Sequence, residues 1–209
     1  MGQACALRRG GKRDVGIAVG RRPREGMLIV LGGLLGTGKT AIARSLARRL
    51  NAVHLRIDTI EQALRSCDVL KADVGPAGYV IAYGLAEDNL RIGEIVVADS
   101  VNSLSVTRDA WLSVAKQMAA KIAEVEVICS DKAEHRRRIE TRTADIIGHK
   151  LPSWQDVVDR PYERWDRQHI VIDTAVKGVD ENVTDLLARM SLEKQRSPRW
   201  CARIGPSAQ

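Results

Sequence analysis

Apolar residues along this chain fall into five short runs separated by stretches of helical period. Residues 27–31, 52–57, 94–99, 124–129 and 169–173 are brief and apolar enough to be buried strands. Between them the apolar period is helical over 41–50, about 59–67 and 77–91, with Tyr79 and Tyr83 four apart in the third. A further helix is expected from Thr107, as its cap, to about Lys121, and a charged one from Asp131 onward. Ser153-Trp154-Gln155-Asp156 has the S-x-x-D capping form, which starts a short helix that Pro161 interrupts. Asp180 to Met190 makes the last helix, and there is no internal repeat or low-complexity stretch. Five apolar strands alternating with helices predict an α/β fold, a parallel sheet covered on both faces.

Ligands of such sheets bind beyond the carboxyl ends of the strands. Residues 33–40, Asp58, Asp99, Asp131 and Asp173 all fall there. Gly33-Leu34-Leu35-Gly36-Thr37-Gly38-Lys39-Thr40 fits the phosphate-binding pattern G-x-x-x-x-G-K-[ST] without a mismatch. A strand precedes it and a helix beginning with Ala41 follows, the context that separates the motif from a chance glycine turn. Glycines let the backbone turn its N–H groups toward a phosphate, and the helix dipole points at the same anion. Lys39 is expected to reach the β- and γ-phosphates of ATP, and the Thr40 hydroxyl to hold Mg²⁺.

Composition narrows the partners. The chain has 209 residues, enough for one domain with tails, and no apolar run near the ~20 residues that span a bilayer, so no membrane role is expected. Phe is absent, so the core must be aliphatic. Of the net +7, residues 1–26 carry +5 and residues 194–209 carry +4, which leaves the body between them at −2. Basicity confined to tails argues against nucleic acid as a partner and for solvated segments. We therefore expect a disordered basic extension over 1–26, a domain over 27–190 and a basic tail over 191–209. Met27 itself is an alternative start. Ala6 breaks the myristoylation pattern begun by Gly2, and no apolar segment of a signal peptide follows the arginines. Cys5, Cys67, Cys129 and Cys201 lack metal or redox spacing, which fits a reduced, cytoplasmic setting. His54, His135, His149 and His169 are equally scattered and predict no protein-built metal site.

The strand ends carry the candidate chemistry. Asp99 closes an Ile-Val-Val-Ala run, the form of a carboxylate that holds Mg²⁺. Asp58 is placed either to orient an acceptor hydroxyl and take its proton, or to cap the helix beginning at Thr59. Arg138 and Arg142 are four apart on a helix and can clamp a transferring phosphoryl group. Glu134 can pair with Arg138, while Arg136 and Arg137 face solvent.

Residues 33–40, Asp58, Asp99, Arg142 and the segment 143–165 together resemble the P-loop small-molecule kinases of the compact AAA-domain group. Gluconate kinase, adenylylsulfate kinase, chloramphenicol phosphotransferase and the zeta-toxin kinases are relatives, and the likeness covers about 27–190. The resemblance implies a five-stranded sheet in the order 2-3-1-4-5, a lid over about 132–165, and transfer of the ATP γ-phosphoryl group to a hydroxyl of a small molecule. It further implies Asp58 as the acceptor-side acid and Arg142 as the lid arginine. Arg65, Arg108 and Tyr83 become acceptor contacts, with Tyr79 and Trp111 beside them. Arg138 and Thr174 fall on the nucleotide side, and Trp154 and Trp165 are packing residues. A monomer or homodimer is expected. No sulfate, gluconate or nucleobase signature is present, and 143–152 lack the arginine pair of nucleoside monophosphate kinases. A GTPase would need an N-K-x-D motif, which is absent; Asp145-Ile146-Ile147-Gly148 matches D-x-x-G but lies in the lid. The remaining alternatives are a regulatory ATPase acting with a protein partner and a polynucleotide kinase.

Overall fold

A computed structural model describes residues 25–67, 73–148 and 151–196, with side chains through residue 191. Most of the expected basic extension, the end of the tail, Cys5, Cys201 and His149 lie outside the described residues. The chain runs β1 (Met27–Gly32), α1 (Lys39–Leu50), β2 (Val53–Arg56), α2 (Ile57–Arg65), α3 (Ala77–Arg91) and β3 (Ile95–Asp99). It continues through α4 (Ser105–Gln117), β4 (Lys121–Ile128), α5 (Lys132–Thr141), α6 (Trp154–Val158), β5 (Ile170–Asp173) and α7 (Val179–Arg196). The sheet has the order β2-β3-β1-β4-β5, as expected, and every pair in it is parallel.

The central strand explains the architecture. Leu28, Ile29, Val30 and Leu31 are all 0% exposed, so β1 buries both faces. Ile29 and Leu31 face one aliphatic core with Ile42, Leu46, Val125, Val127 and Leu186, under α1 and α7. Leu28 and Val30 face the other, with Val96, Ala82, Ala86 and Trp111, under α3 and α4. Two helical layers on one sheet leave its carboxyl edge free for a ligand.

The boundaries differ from the sequence reading in three places that matter below. Helix α4 begins at Ser105, not Thr107, whose hydroxyl turns back to donate to the Leu104 carbonyl at 2.8 Å. It also ends at Gln117; Ala119 takes a left-handed turn (φ 49°), and Lys121 already pairs with Met27 in β4. Helix α2 starts directly from the last residue of β2, so Asp58 lies inside its first turn and Arg56 is the N-cap. Of the strand-end carboxylates, Asp131 caps α5 by accepting from Ala133 and Glu134 N–H, and Asp173 accepts from Ser130 and Ala175 N–H. The capping box at Ser153 and Asp156 is formed.

Candidate functional site

The glycine loop joins β1 to α1 and cannot carry side chains at its turns. Gly33 has φ +142°, and a Cβ there would stand 2.2 Å from the Val127 carbonyl. Gly36 has φ +82°, and its Cβ would strike Ile139 at 2.5 Å. Leu35 is buried in a small cluster with Val101, Ile139 and Val157, against which Leu34 packs. The loop is braced from three directions. Thr37 donates to the Leu34 carbonyl at 2.9 Å, and Thr174 Oγ1 donates to the Thr37 carbonyl at 2.7 Å. Arg138 in turn donates to Thr174 Oγ1 and to its carbonyl, at 2.8 and 3.0 Å. His135, buried on α5, meets the Leu35 carbonyl at 2.7 Å through Nε2 and sets its ring edge-on to Trp154. The loop is thus tied to α5 and to the residue that follows β5.

Behind the loop sits a buried charge cluster. Lys39, 6% exposed, places Nζ 3.8 Å from Asp99 Oδ1, and His54 Nε2 lies 3.4 Å from Asp99 Oδ2. Burial alone would raise the Asp99 pKa. The His54 hydrogen bond, the Lys39 charge and the Thr40 hydroxyl outweigh it and keep the carboxyl below its ordinary range. A charged Asp99 beside a threonine hydroxyl offers the hard oxygen donors that suit Mg²⁺, and glycine N–H groups with Lys39 suit a polyphosphate. The residues present therefore fit both groups.

Two cavities meet here. One, of about 290 Å³, opens over the loop and is lined by Lys39, Thr40, Ala41, Arg138 and Arg142 among others. The second, of about 990 Å³, lies between α2, α3, the loop after β3 and α6, with Glu61, Arg65, Tyr79, Thr107 and Arg160 on its walls. Asp58 lines both. Arg65 reaches the larger one while paired with Glu61 at 3.1 Å. Glu134 pairs with Arg138 at 2.8 Å, whereas Arg136 and Arg137 lie on the exposed face. Helix α5 stops at Thr141, so Arg142 leaves in extended conformation instead of continuing the helical face of Arg138.

Three expected acceptor contacts lie elsewhere. Arg108 is 0% exposed and donates to four backbone carbonyls, of Asn102, Ser103, Glu163 and Arg164, at 3.1–3.4 Å. Its guanidinium also lies 4.9 Å from the Trp165 ring centre, so it staples the return of the lid segment to the loop after β3. Tyr83 donates to the Thr107 carbonyl and packs edge-on to Trp111, itself wholly buried; both belong to the core under α3 and α4. Tyr79, one turn earlier, is the aromatic residue that reaches the cavity. The sequence pattern assigned no role in the site to His54, His135, Arg44, Arg56 or Asp145. Arg56 alone carried a usable signal, as an arginine one residue before the end of an expected strand at the ligand edge.

Fold and loop define a P-loop nucleotide-binding protein. The chain belongs to the AAA domain family, whose model matches residues 28–169. Among solved structures it is similar to the APS kinase CysC of Mycobacterium tuberculosis in complex with AMPPNP and APS. The identity is 18% and the TM-score 0.61, over 81% of this chain and 99% of that one. A gluconokinase from Sinorhizobium meliloti gives 20% identity and a TM-score of 0.56 over 83% and 99%. Chaetomium thermophilum Kti12 in complex with ADP-AlF3 gives 22% and 0.59 over 78% and 97%. At these identities the likeness is one of fold. A comparison with curated protein sequences found no match. Among the described residues no helix is long and apolar enough to cross a membrane.

Proposed function

We propose that this protein is an ATP- and Mg²⁺-dependent kinase that moves the γ-phosphoryl group of ATP to a hydroxyl of a small molecule. The observation that carries this reading is the position of Asp58, a wall of the phosphate cavity and of the larger cavity at once. A carboxylate at that junction can touch an acceptor hydroxyl aimed at the phosphate. The acceptor oxygen forms a bond to the γ-phosphorus, the bond from that phosphorus to the β–γ bridging oxygen breaks, and ADP leaves. The hydroxyl proton passes to the Asp58 carboxylate. Thr40 and Asp99 would hold Mg²⁺, which neutralises charge on the phosphate oxygens when bound. Lys39 and Arg142 face the same charge from the protein side, and Arg138 sets Thr174 against the loop.

The segment of about 132–165 carries α5, the arm after it and α6, and walls both cavities. It serves as the lid, excluding water so that ATP is not lost to hydrolysis. The APS kinase and gluconokinase likenesses support a small-molecule acceptor over a polymeric one.

Asp58→Asn is expected to lower kcat by roughly two to three orders of magnitude, in the range of a general base, with ATP affinity nearly unchanged. Turnover at the wild-type rate would remove Asp58 from the mechanism. Asp99→Asn is expected to raise the Mg²⁺ concentration for half-maximal ATP binding by at least roughly tenfold. Titration of Mg²⁺ at fixed ATP reads that shift, and an unchanged midpoint would place the ion elsewhere.

A further inference from the structure

Among the described residues, the P-loop cavity is lined by five cations, Lys39, Arg44, Arg56, Arg138 and Arg142, and by two acids, Asp58 and Asp145. Asp145 comes from the arm that follows α5, and its carboxylate is inserted between guanidiniums of two other elements. Arg44 of α1 donates to it at 2.6 Å, and Arg56 at the end of β2 grips both oxygens, at 2.8 and 3.1 Å. A two-pronged grip of this kind suits a phosphoryl group as well as a carboxylate.

Arg56 is the unusual member. It stands opposite Asp99 in the β2–β3 register, so its side chain leaves the sheet on the face of α1 and the glycine loop. The residue is 8% exposed, its Nε has no partner, and Nη2 lies 3.8 Å from Asp58. A buried guanidinium whose charge is left uncompensated is strongly unfavourable, so Arg56 calls for an anion within reach. Asp145 supplies that anion through two hydrogen bonds, with Asp58 farther off at 3.8 Å. The partners are unequal: the Asp145 side chain is 39% exposed and can return to water, while the Arg56 side chain, 8% exposed, cannot. The Arg56 hydrogen bonds also hold the Asp145 carboxyl well below the usual carboxylate range, so it is charged throughout the neutral region.

We propose that Arg56 binds the terminal phosphoryl group of ATP, and that Asp145 is an internal anion which occupies Arg56 until that group displaces it. The inference rests on the nucleotide-binding part of the reading above and deepens it: the pair makes the site compare ATP with ADP. ATP must compete with Asp145 for Arg56. ADP, one phosphoryl group shorter, leaves the Arg56–Asp145 grip in place. Displacement frees the arm that carries Arg142 and Thr143, which line the same cavity.

The test is calorimetric binding of Mg·ATP and Mg·ADP to the full chain, its Arg56→Gln variant and its Asp145→Asn variant. Arg56→Gln should weaken ATP by about tenfold or more, the value of a charge-assisted hydrogen bond, and leave ADP within about twofold. Asp145→Asn, on an exposed arm, should tighten ATP several-fold (order of magnitude from the same bond) with ADP unchanged. Equal weakening of both nucleotides by Arg56→Gln, or no weakening, overturns the proposal. So does an Asp145→Asn variant that binds ATP no more tightly, and this holds even if Arg56→Gln does not fold. Both readouts dispense with an acceptor, so a failure to find any phosphoryl acceptor would count against the kinase reading and leave this result standing.

Discussion

Lys39→Ala is expected to abolish measurable transfer, lowering kcat/KM by roughly a thousandfold, about 4 kcal/mol of transition-state stabilisation. The magnitude follows from where the ammonium sits. Lys39 is 6% exposed at the first turn of α1, between the glycine loop and Asp99, so water cannot replace its charge. Removal takes one buried cation from the phosphate cavity and leaves Asp99, 2% exposed, without the ammonium 3.8 Å away. The transferring group spreads negative charge over its oxygens in the transition state, so the loss falls on turnover more than on the fold. Steady-state kinetics with a thermal melt on the same sample separates the two. Turnover within about tenfold of wild type would place the phosphate somewhere other than this loop.

Arg108→Ala is expected to act on stability instead, by about 3–5 kcal/mol, which lowers Tm by roughly 6–20 °C in a domain of this size. Four carbonyls lose their donor, Trp165 loses the cation over its face, and a fully buried side chain leaves a void. Lysine should not rescue it, because one ammonium cannot fork to four acceptors from two segments. An acceptor-binding arginine would behave in the opposite way, raising the KM of the acceptor with the melting temperature unmoved.

Arg108 also shows where the sequence stops being informative. Its place after β3 was read by order along the chain, which says nothing of the direction a side chain takes. The cap of helix α4 is Leu104, three residues before Thr107, and Arg108 shares the buried face with Trp111, three residues on. Tyr79 and Tyr83 pose the same problem on α3: equal spacing, one at the cavity and the other in the core. By contrast, the five strands and the glycine loop were legible, because apolar runs and a contiguous motif are local signals, whereas the strand order followed only from the family resemblance. The charge network was not. Arg56 meets Asp145 across 89 positions, and His135 meets the Leu35 carbonyl across 100. No local period encodes such pairs; they exist only once the sheet has brought its carboxyl ends together.

Phosphoryl transfer to a small molecule can be followed with ATP labelled in its γ-phosphoryl group. The label would be followed with Mg²⁺ across sugar acids, nucleosides, adenylylsulfate, aminoglycosides and phenicol antibiotics, with Lys39→Ala as the blank. Label is expected to move to one compound class, with ADP release rising sharply alongside it and both vanishing in the blank. Slow ADP release that is indifferent to every compound, with all label recovered as inorganic phosphate, would contradict such transfer and point to an ATPase that works with a protein partner.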